Sequence, residues 1–163
     1  MLKKIYNKVT HEWDTSVEEA LKSFIRLPAL SPDFDKKWEE NGVLLKALED
    51  AQAWAEKQGI KGLRCEIIKD DGFTPCLFVE VDATSDKKLE RSVFFYGHLD
   101  KQPPNEGWDP DKSAWEPVIQ NGRLYGRGAV DDGYAFYTSL AAVKALQTLG
   151  IPHPRCVGLF ETC

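Results

Sequence analysis

The alternation of apolar and polar residues along the chain predicts three amphipathic helices. Ser16–Glu19 has the Ser-x-x-Glu form of a capping box, and Pro28 and Pro32 should end the helix that it opens. A second helix is predicted from Phe34 to Gln58 and a third from Asp131 to Leu149. The apolar residues with helical spacing are Val17, Ala20, Leu21, Phe24 and Ile25 in the first helix, Leu44, Ala47, Leu48, Ala51, Trp54 and Ala55 in the second, and Ala135, Leu140, Ala141, Val143, Ala145 and Leu146 in the third.

Four shorter segments are typical of β-strands. Leu63–Ile68 and Cys76–Val81 flank the turn signal Asp70–Gly72, which predicts a hairpin. Ser92–Tyr96 is almost continuously apolar, as expected for a strand that is buried on both faces, and Arg155–Phe160 is a last strand. Alternating helices and strands predict a one-domain α/β fold, a mixed sheet flanked by helices.

The segments between these elements are polar. Ser85–Lys88 is predicted to be a polar loop, and Asn121-Gly122 a tight turn. Lys101–Gln120 is rich in Pro, Asp, Gly and Trp and is predicted to be a long structured loop, a type of segment that often carries function. Trp108 and Trp115 in this loop either line a substrate cleft or anchor the loop by burial.

Composition and charge narrow the possible partners. The chain has 163 residues, 42% of them hydrophobic, and a net charge of −5, so no nucleic acid or membrane partner is expected. No apolar run approaches the roughly 20 residues that span a bilayer, and the N-terminus does not have the form of a secretory signal. The four cysteines form no CxxC motif and are predicted to be buried, reduced thiols, which indicates a cytoplasmic location.

His98 and Asp100 follow the third predicted strand, with Gly97 before them. Ligands bind at the C-terminal edge of open α/β sheets, imidazole is a good ligand for zinc, and a neighbouring carboxylate commonly orients such an imidazole. On its own, however, a His-x-Asp triplet more often indicates a loop histidine beside a turn aspartate, because two-residue matches arise by chance. His11 and His153 lie outside this motif and are predicted to face solvent.

Asp131 and Asp132 stand at the predicted start of the third helix, after Gly126 and Gly128. An aspartate there is an ordinary helix cap, but its two oxygens could also bridge two metal ions. Arg127, between the glycines, could bind a carboxylate of a ligand or pair with Asp131 or Asp132 and hold the turn.

Taken together, these segments resemble the M20 family of zinc metallopeptidases, the group of aminoacylases and carnosine dipeptidases. The residues that carry the resemblance are Gly97–Pro103, Trp108, Trp115–Pro117, Gly122–Gly133 and, earlier in the chain, Phe24–Ser31. The family often has Lys two positions after its bridging aspartate, whereas this chain has Gly133 there, which leaves the substrate open.

The resemblance implies a role for each matching residue. His98 and Asp131 are the candidate metal ligands, with Asp131 bridging two ions, and Asp100 is the candidate catalytic residue because it orients His98. The peptide bond between Asp131 and Asp132 is expected to be cis. The expected cofactors are two divalent metal ions, with zinc as the expected metal, in the full-length protein.

The family's general base and one further metal ligand form a Glu-Glu pair, which the pattern places just beyond Cys163. Glu161 precedes that position and is expected to be structural. The resemblance therefore implies that residues 1–163 are the N-terminal part of a single metallopeptidase catalytic domain, without its remainder or its lid domain. Such a fragment is expected to bind metal weakly, to be inactive, and to expose apolar surface that favours self-association.

Three functions remain open at this point. The first is an M20-type hydrolase that cleaves a peptide or related amide bond in a small substrate such as a dipeptide, with a homodimer as an allowed form of the full-length protein. The second is deacylation or desuccinylation of an N-acyl amino acid. The third is a non-catalytic α/β binding module.

Overall fold

A computed structural model describes residues 1–84 and 91–163. The predicted polar loop at Ser85–Lys88 lies outside these residues. Within the described residues the helices are α1 (Leu2–Glu12), α2 (Glu18–Arg26), α3 (Trp38–Asn41), α4 (Val43–Glu56) and α5 (Tyr134–Thr148). None of the helices in the two described ranges has the length and apolar character needed to cross a membrane.

The helical start of the chain differs from the prediction. A wider helical turn, Trp13–Val17, joins α1 to α2, so the predicted capping box at Ser16 is wrong. Because helical backbone precedes Ser16, its hydroxyl does not serve as a cap. It accepts from Trp54 Nε1 at 3.0 Å and lies 3.2 Å from Gln58 Oε1, and these contacts tie the turn to α4.

The predicted second helix is divided in two. Gly42 lies between α3 and α4 with φ of +66°, a left-handed conformation that ends one helix before the next begins. The apolar face of α4 is nevertheless the predicted one, and Leu44, Ala47, Leu48, Ala51 and Ala55 are all buried.

The strands form two sheets. They are β1 (Leu63–Ile68), β2 (Cys76–Val81), β3 (Val93–His98), β4 (Val118–Gln120), β5 (Arg123–Tyr125) and β6 (Cys156–Glu161). The main sheet has the order β1-β2-β6-β3; β2 is antiparallel to both neighbours, and β3 is parallel to β6. The mixed α/β sheet and the β1–β2 hairpin are therefore confirmed. The small β4–β5 hairpin turns at Asn121 and Gly122, both with positive φ, as predicted.

The two faces of the main sheet have different environments. Leu77, Val79 and Phe160 point to the face that packs with the helices and are buried. On the other face, Phe94 and Tyr96 are 63% and 58% exposed. The prediction that the third strand is buried on both faces is wrong, because β3 is an edge strand with one open face. The expected exposed apolar surface is present.

The cysteines differ in burial. All four are free: Cys156 is buried, Cys65 and Cys76 are half-buried, and Cys163 is exposed. The prediction of burial is therefore wrong for Cys163, which follows the last strand.

Candidate metal centre

His98 is the last residue of β3, at the C-terminal edge of the main sheet. Leu99 extends the pairing with β6, since its N–H donates to the carbonyl of Glu161 at 2.8 Å. Gly97 is required just before the histidine: a Cβ there would lie 2.8 Å from Asp132 Oδ2 and 3.0 Å from the Cβ of Ala135. The glycine thus allows the start of α5 to approach the end of β3 closely.

The imidazole of His98 lies between two carboxylates. Its Nδ1 is 3.1 Å from Asp100 Oδ1, and its Nε2 is 3.1 Å from Asp131 Oδ1. The hydrogen bond with Asp100 and the negative charges of Asp100 and Asp131 outweigh partial burial and raise the pKa of His98 to about 9. The structure brings together the three residues that the sequence selected, although they come from segments more than thirty positions apart.

The two carboxylates have different environments. Asp100 is buried, with 3% exposure, and its second oxygen accepts a hydrogen bond from the Ser31 hydroxyl. The side chain of Asp131 is 62% exposed. Asp100 is therefore suited to hold the ring of His98 in place, while the carboxylate of Asp131 is accessible to a cation from solvent.

The glycine-rich turn, residues 126–133, carries Asp131. The Asp131–Asp132 peptide bond is cis, as the resemblance implied. Burial raises the pKa of Asp132, opposed by the positive charge of His98 and by a hydrogen bond from the His98 backbone. The two aspartates thus hold His98 from two directions, Asp131 at the ring and Asp132 at the main chain.

The glycines of this turn allow it to lie directly on α2. A Cβ at Gly126 would be 2.5 Å from Ile25 Cγ2, and one at Gly133 would overlap the ring of Phe24. The turn is closed by a hydrogen bond from the Gly133 N–H to the Gly128 carbonyl at 2.9 Å. The end of α2 is therefore the surface on which the position of Asp131 depends.

The pair His98–Asp131 fits two ligands of one metal ion. Nitrogen and oxygen ligands at about 2.0–2.1 Å in a tetrahedral site are about 3.3 Å apart, close to the 3.1 Å seen between Nε2 and Oδ1. Within residues 1–84 and 91–163, no group of three or more His, Cys, Asp or Glu side chains is arranged to hold a metal. His98 and Asp131 are thus two candidate ligands, fewer than the four that a tetrahedral zinc site has.

Glu161 has the structural contacts that the sequence analysis expected of it. Its carboxylate accepts from the Tyr96 hydroxyl at 2.6 Å and from the Cys163 thiol. The bond to Glu161 raises the pKa of Tyr96 to about 12. Both carboxylate oxygens are engaged on the open face of the sheet.

Two residues next to the centre were not selected from the sequence. Ser31 bonds Asp100, and Lys101 is completely buried between the end of α2 and the glycine-rich turn. Both residues lie in stretches that carry the resemblance, Ser31 in Phe24–Ser31 and Lys101 in Gly97–Pro103, but neither was assigned a role. Nothing in the local pattern indicates that a lysine in a polar loop is buried.

Other polar candidates differ from their predictions. The described residues contain no ion pair from Arg127 to Asp131 or Asp132, and the buried Nε of Arg127 has no hydrogen-bond partner among them. His153 was predicted to face solvent but is 2% exposed, whereas His11 is exposed. Trp108 is half-buried and its Nε1 donates to the Pro104 carbonyl at 2.7 Å, which favours the anchoring role.

Parts of this chain are similar in sequence to a peptidase family, a dipeptidase and a desuccinylase. Residues 94–163 match the sequence model of Peptidase family M20/M25/M40, a stretch that begins in β3 and includes His98, Asp100 and Asp131. The Cys-Gly metallodipeptidase dug1 of Schizosaccharomyces pombe is 36% identical over 67 residues, 40% of this chain and 14% of that protein. Succinyl-diaminopimelate desuccinylase of Acidiphilium cryptum is 49% identical over 51 residues, 31% of this chain and 13% of that enzyme.

Solved structures share the fold over almost the whole chain. The structure of the dipeptidase Dug1p from Saccharomyces cerevisiae has a TM-score of 0.71 at 21% identity, and that of human carnosine dipeptidase 1 has a TM-score of 0.72 at 23% identity. Each comparison covers 99% of this chain and 34% of the other. The chain thus spans about a third of the length of these structures.

Proposed function

We propose that this chain belongs to the M20/M25/M40 peptidase family, whose sequence model matches residues 94–163, and that the whole protein is a metal-dependent hydrolase that cleaves the peptide bond of a small substrate such as a dipeptide. The observation that carries the proposal is the 3.1 Å approach of His98 Nε2 to Asp131 Oδ1 at the C-terminal edge of the sheet. Ligands of α/β proteins bind at this edge. The names of two relatives, a metallodipeptidase and a putative dipeptidase, support the substrate class.

In this proposal His98 and Asp131 are metal ligands and Asp100 orients the imidazole. Asp100 lies on the Nδ1 side of the ring, so it fixes the tautomer that leaves Nε2 free to bind a metal. Two divalent ions, with zinc as the expected metal, would polarise the scissile carbonyl and lower the pKa of a water molecule. A carboxylate at the position of Asp131 has a second oxygen available for a second ion.

This chain is proposed as the N-terminal part of the catalytic domain. The general base and the remaining ligands are then supplied by other residues of the whole protein. Two protein ligands hold zinc weakly, and loss of a general base costs about 10²–10⁴-fold in rate. We therefore expect the isolated chain to bind zinc poorly and to hydrolyse dipeptides far more slowly than the whole protein.

The experiment that tests the proposal uses the whole protein. Chelation should abolish hydrolysis of dipeptides such as Cys-Gly, and zinc should restore it. His98→Ala and Asp131→Ala should each lower metal affinity by more than the roughly 10–100-fold that loss of a ligand's supporting group costs. Full hydrolysis after complete chelation, or unchanged zinc binding in both variants, would contradict the proposal.

A desuccinylase is the second candidate, and one observation favours it. The matched stretch of the Acidiphilium desuccinylase is 49% identical, whereas that of the fission-yeast dipeptidase is 36% identical. Parallel assays with dipeptides, N-acetyl amino acids and N-succinyl-diaminopimelate distinguish the two, since the ratio of kcat/KM values identifies the preferred bond. A whole protein that binds metal but hydrolyses none of these would favour a binding module.

The cellular setting is also part of the proposal. The four free cysteines are consistent with a reducing compartment such as the cytoplasm. A homodimer of the whole protein stays a prediction, which sedimentation would test.

A further inference from the structure

Lys101 is the least exposed charged residue beside the candidate metal centre, with 0% exposure. Its ammonium group donates to the carbonyls of Phe24 and Leu27 and lies 3.4 Å from the carbonyl of Ile25. These carbonyls are at the C-terminal end of α2, where intrahelical donors run out and a cationic group is favoured. The amine therefore fastens the segment after β3 to the end of this helix.

The aliphatic part of the same side chain lies beneath the glycine-rich turn. A Cβ at Gly128 would be 2.8 Å from Lys101 Cε and 3.1 Å from Cδ, so only glycine permits this contact. Gly128 is three residues before Asp131, and Lys101 is three residues after His98. One side chain thus contacts both the segment that carries the imidazole and the segment that carries the carboxylate.

The main chain of Lys101 strengthens this connection. The Ser31 N–H donates to the Lys101 carbonyl at 3.0 Å, and the Ser31 hydroxyl bonds the carboxylate of Asp100. The ring of Phe24 lies 3.8 Å from the amine. The segment from β3 to Lys101 therefore has several contacts with the end of α2 and the chain after it.

An apolar residue would fill this space without the cost of desolvating an amine. Burial lowers the pKa of Lys101 to about 7, which reflects that cost. A neutral amine still has two hydrogen atoms to donate, so the bonds to the carbonyls of Phe24 and Leu27 do not require the charge. What the lysine adds over an apolar side chain is the set of hydrogen bonds to three carbonyls.

We infer that Lys101 is a positioning residue, which sets the distance between the His98 imidazole and the Asp131 carboxylate by joining the end of α2 to the glycine-rich turn. The inference rests on the proposed metal-binding function of that pair. It assigns to Lys101 no contact with metal or substrate. The effect of losing the amine should therefore appear in the coordination of the metal, beyond any loss of stability.

The test is Lys101→Met in the whole protein, with Co²⁺ as the probe. Methionine keeps a stem of similar length and removes the donors. We expect a shift of the visible absorption bands of bound Co²⁺, a fall in Co²⁺ affinity of about 10–100-fold, and a fall in kcat with KM changed much less. These measurements report on the metal ligands directly, so a purely structural role would leave the bands in place.

Lys144→Met is the matched control. Lys144, on α5, pairs with the buried Glu12 at 2.7 Å and makes no contact with the metal centre. The control should lower the melting temperature while the Co²⁺ bands and affinity stay as in the wild type. If it shifts the bands as much as Lys101→Met, general destabilisation explains both results and the inference is overturned.

The remaining outcomes separate the two proposals. A wild-type protein that binds no Co²⁺ refutes the metal-binding function and the inference with it. A wild-type protein that binds Co²⁺, together with unchanged bands and affinity in Lys101→Met, overturns the inference alone. If Lys101→Met does not fold, Lys101→Gln decides by the same readout, since its shorter amide cannot reach all three carbonyls: shifted bands support the inference and wild-type bands overturn it.

Discussion

His98 and His153 stand at opposite ends of the pair β3–β6, and each ring has a polar neighbour at both nitrogens. His98 faces the carboxylates of Asp100 and Asp131 and has 26% of its side chain exposed. His153 is buried, with Nδ1 2.8 Å from the Pro154 carbonyl and Nε2 3.1 Å from the amide nitrogen of Gln147. A neutral imidazole is fully satisfied by one carbonyl acceptor and one amide donor.

The difference shows what distinguishes a candidate ligand from a structural histidine. The neighbours of His153 are uncharged and occupy both nitrogens in a closed space, so nothing further can bind. The neighbours of His98 are anionic, and the one at Nε2 is mostly exposed, so a cation can enter between them. Charge and access at the second nitrogen therefore decide the role of each ring.

Replacing each histidine by alanine should give the largest difference between the two, since one replacement should affect zinc affinity and the other the free energy of unfolding. In the whole protein, His98→Ala should lower zinc affinity by more than about 100-fold, because it removes a ligand. Its effect on the stability of the metal-free protein should be small only above about pH 9, where protonated His98 no longer contributes. His153→Ala should leave zinc affinity near the wild-type value and lower the free energy of unfolding by about 1–3 kcal/mol, because the partners of a buried ring lose their bonds. Calorimetric zinc titration and urea unfolding measure the two quantities. Loss of zinc binding in folded His153→Ala would break the comparison.

Removal of the negative charge beside Nδ1 tests why the two rings differ. Asp100→Asn keeps the size of the side chain, and we expect zinc affinity to fall about 10–100-fold. Asp109→Asn is the control, because Asp109 is an exposed loop residue that pairs with Lys112 at 2.8 Å. Equal zinc affinity in Asp100→Asn and the control would show that the carboxylate does not orient His98.

The Ser31 hydroxyl should have a smaller effect on the same ring. Ser31→Ala removes a hydrogen bond to the buried carboxylate of Asp100, which should cost about 1–3 kcal/mol of stability and lower zinc affinity only several-fold. Ser139→Ala serves as a comparison, since that hydroxyl bonds only a carbonyl within α5. A loss of stability in Ser31→Ala no greater than in Ser139→Ala would argue against support of Asp100 by Ser31.

The smallest expected difference between His98 and His153 is in how the stability of the metal-free protein depends on pH. The pKa of His98 is raised from 6.5 to about 9, so the folded state binds more protons than the unfolded state between these values. The stability contributed by protonated His98 is complete below about pH 6.5 and is lost as pH rises through about 9. Buried Lys101, whose pKa is lowered to about 7, makes stability rise over much of this range, so the test is a difference between two proteins. The free energy of unfolding of the wild type minus that of His98→Ala, measured in urea from pH 6 to 10, should fall as pH rises, and a difference that stays constant would contradict the contribution of His98.

Most helices and strands could be predicted because their patterns are local. The apolar period of α4 and the turn signals of both hairpins were sufficient. The predictions were wrong where the structure of a segment depends on contacts with residues outside that segment. Ser16 resembles a cap until the helix before it is known, and the face of β3 depends on what packs against it, which four apolar residues in a row cannot show.

Part of the candidate metal centre could be predicted from the sequence for the same reason. His98, Asp100 and Asp131 belong to short motifs with recognisable spacing, and the C-terminal edge of a sheet is where such residues meet. No role could be predicted for Ser31 and Lys101 because their partners are 69 and about 77 residues away in the chain. His153, between two prolines, looked like a surface turn, and only packing against Gln147 buries it.

The amino-acid sequence by itself determined the kinds of elements, the residues able to bind a cation, and the glycines that let a turn approach its neighbours, because these depend on the chemistry of single residues and their immediate spacing. Only the tertiary structure decided which imidazole faces carboxylates, which lysine is buried, and which face of the sheet is open. Those outcomes depend on contacts between segments far apart in the chain, where burial and the electrostatic environment are set by the packing of the whole fold.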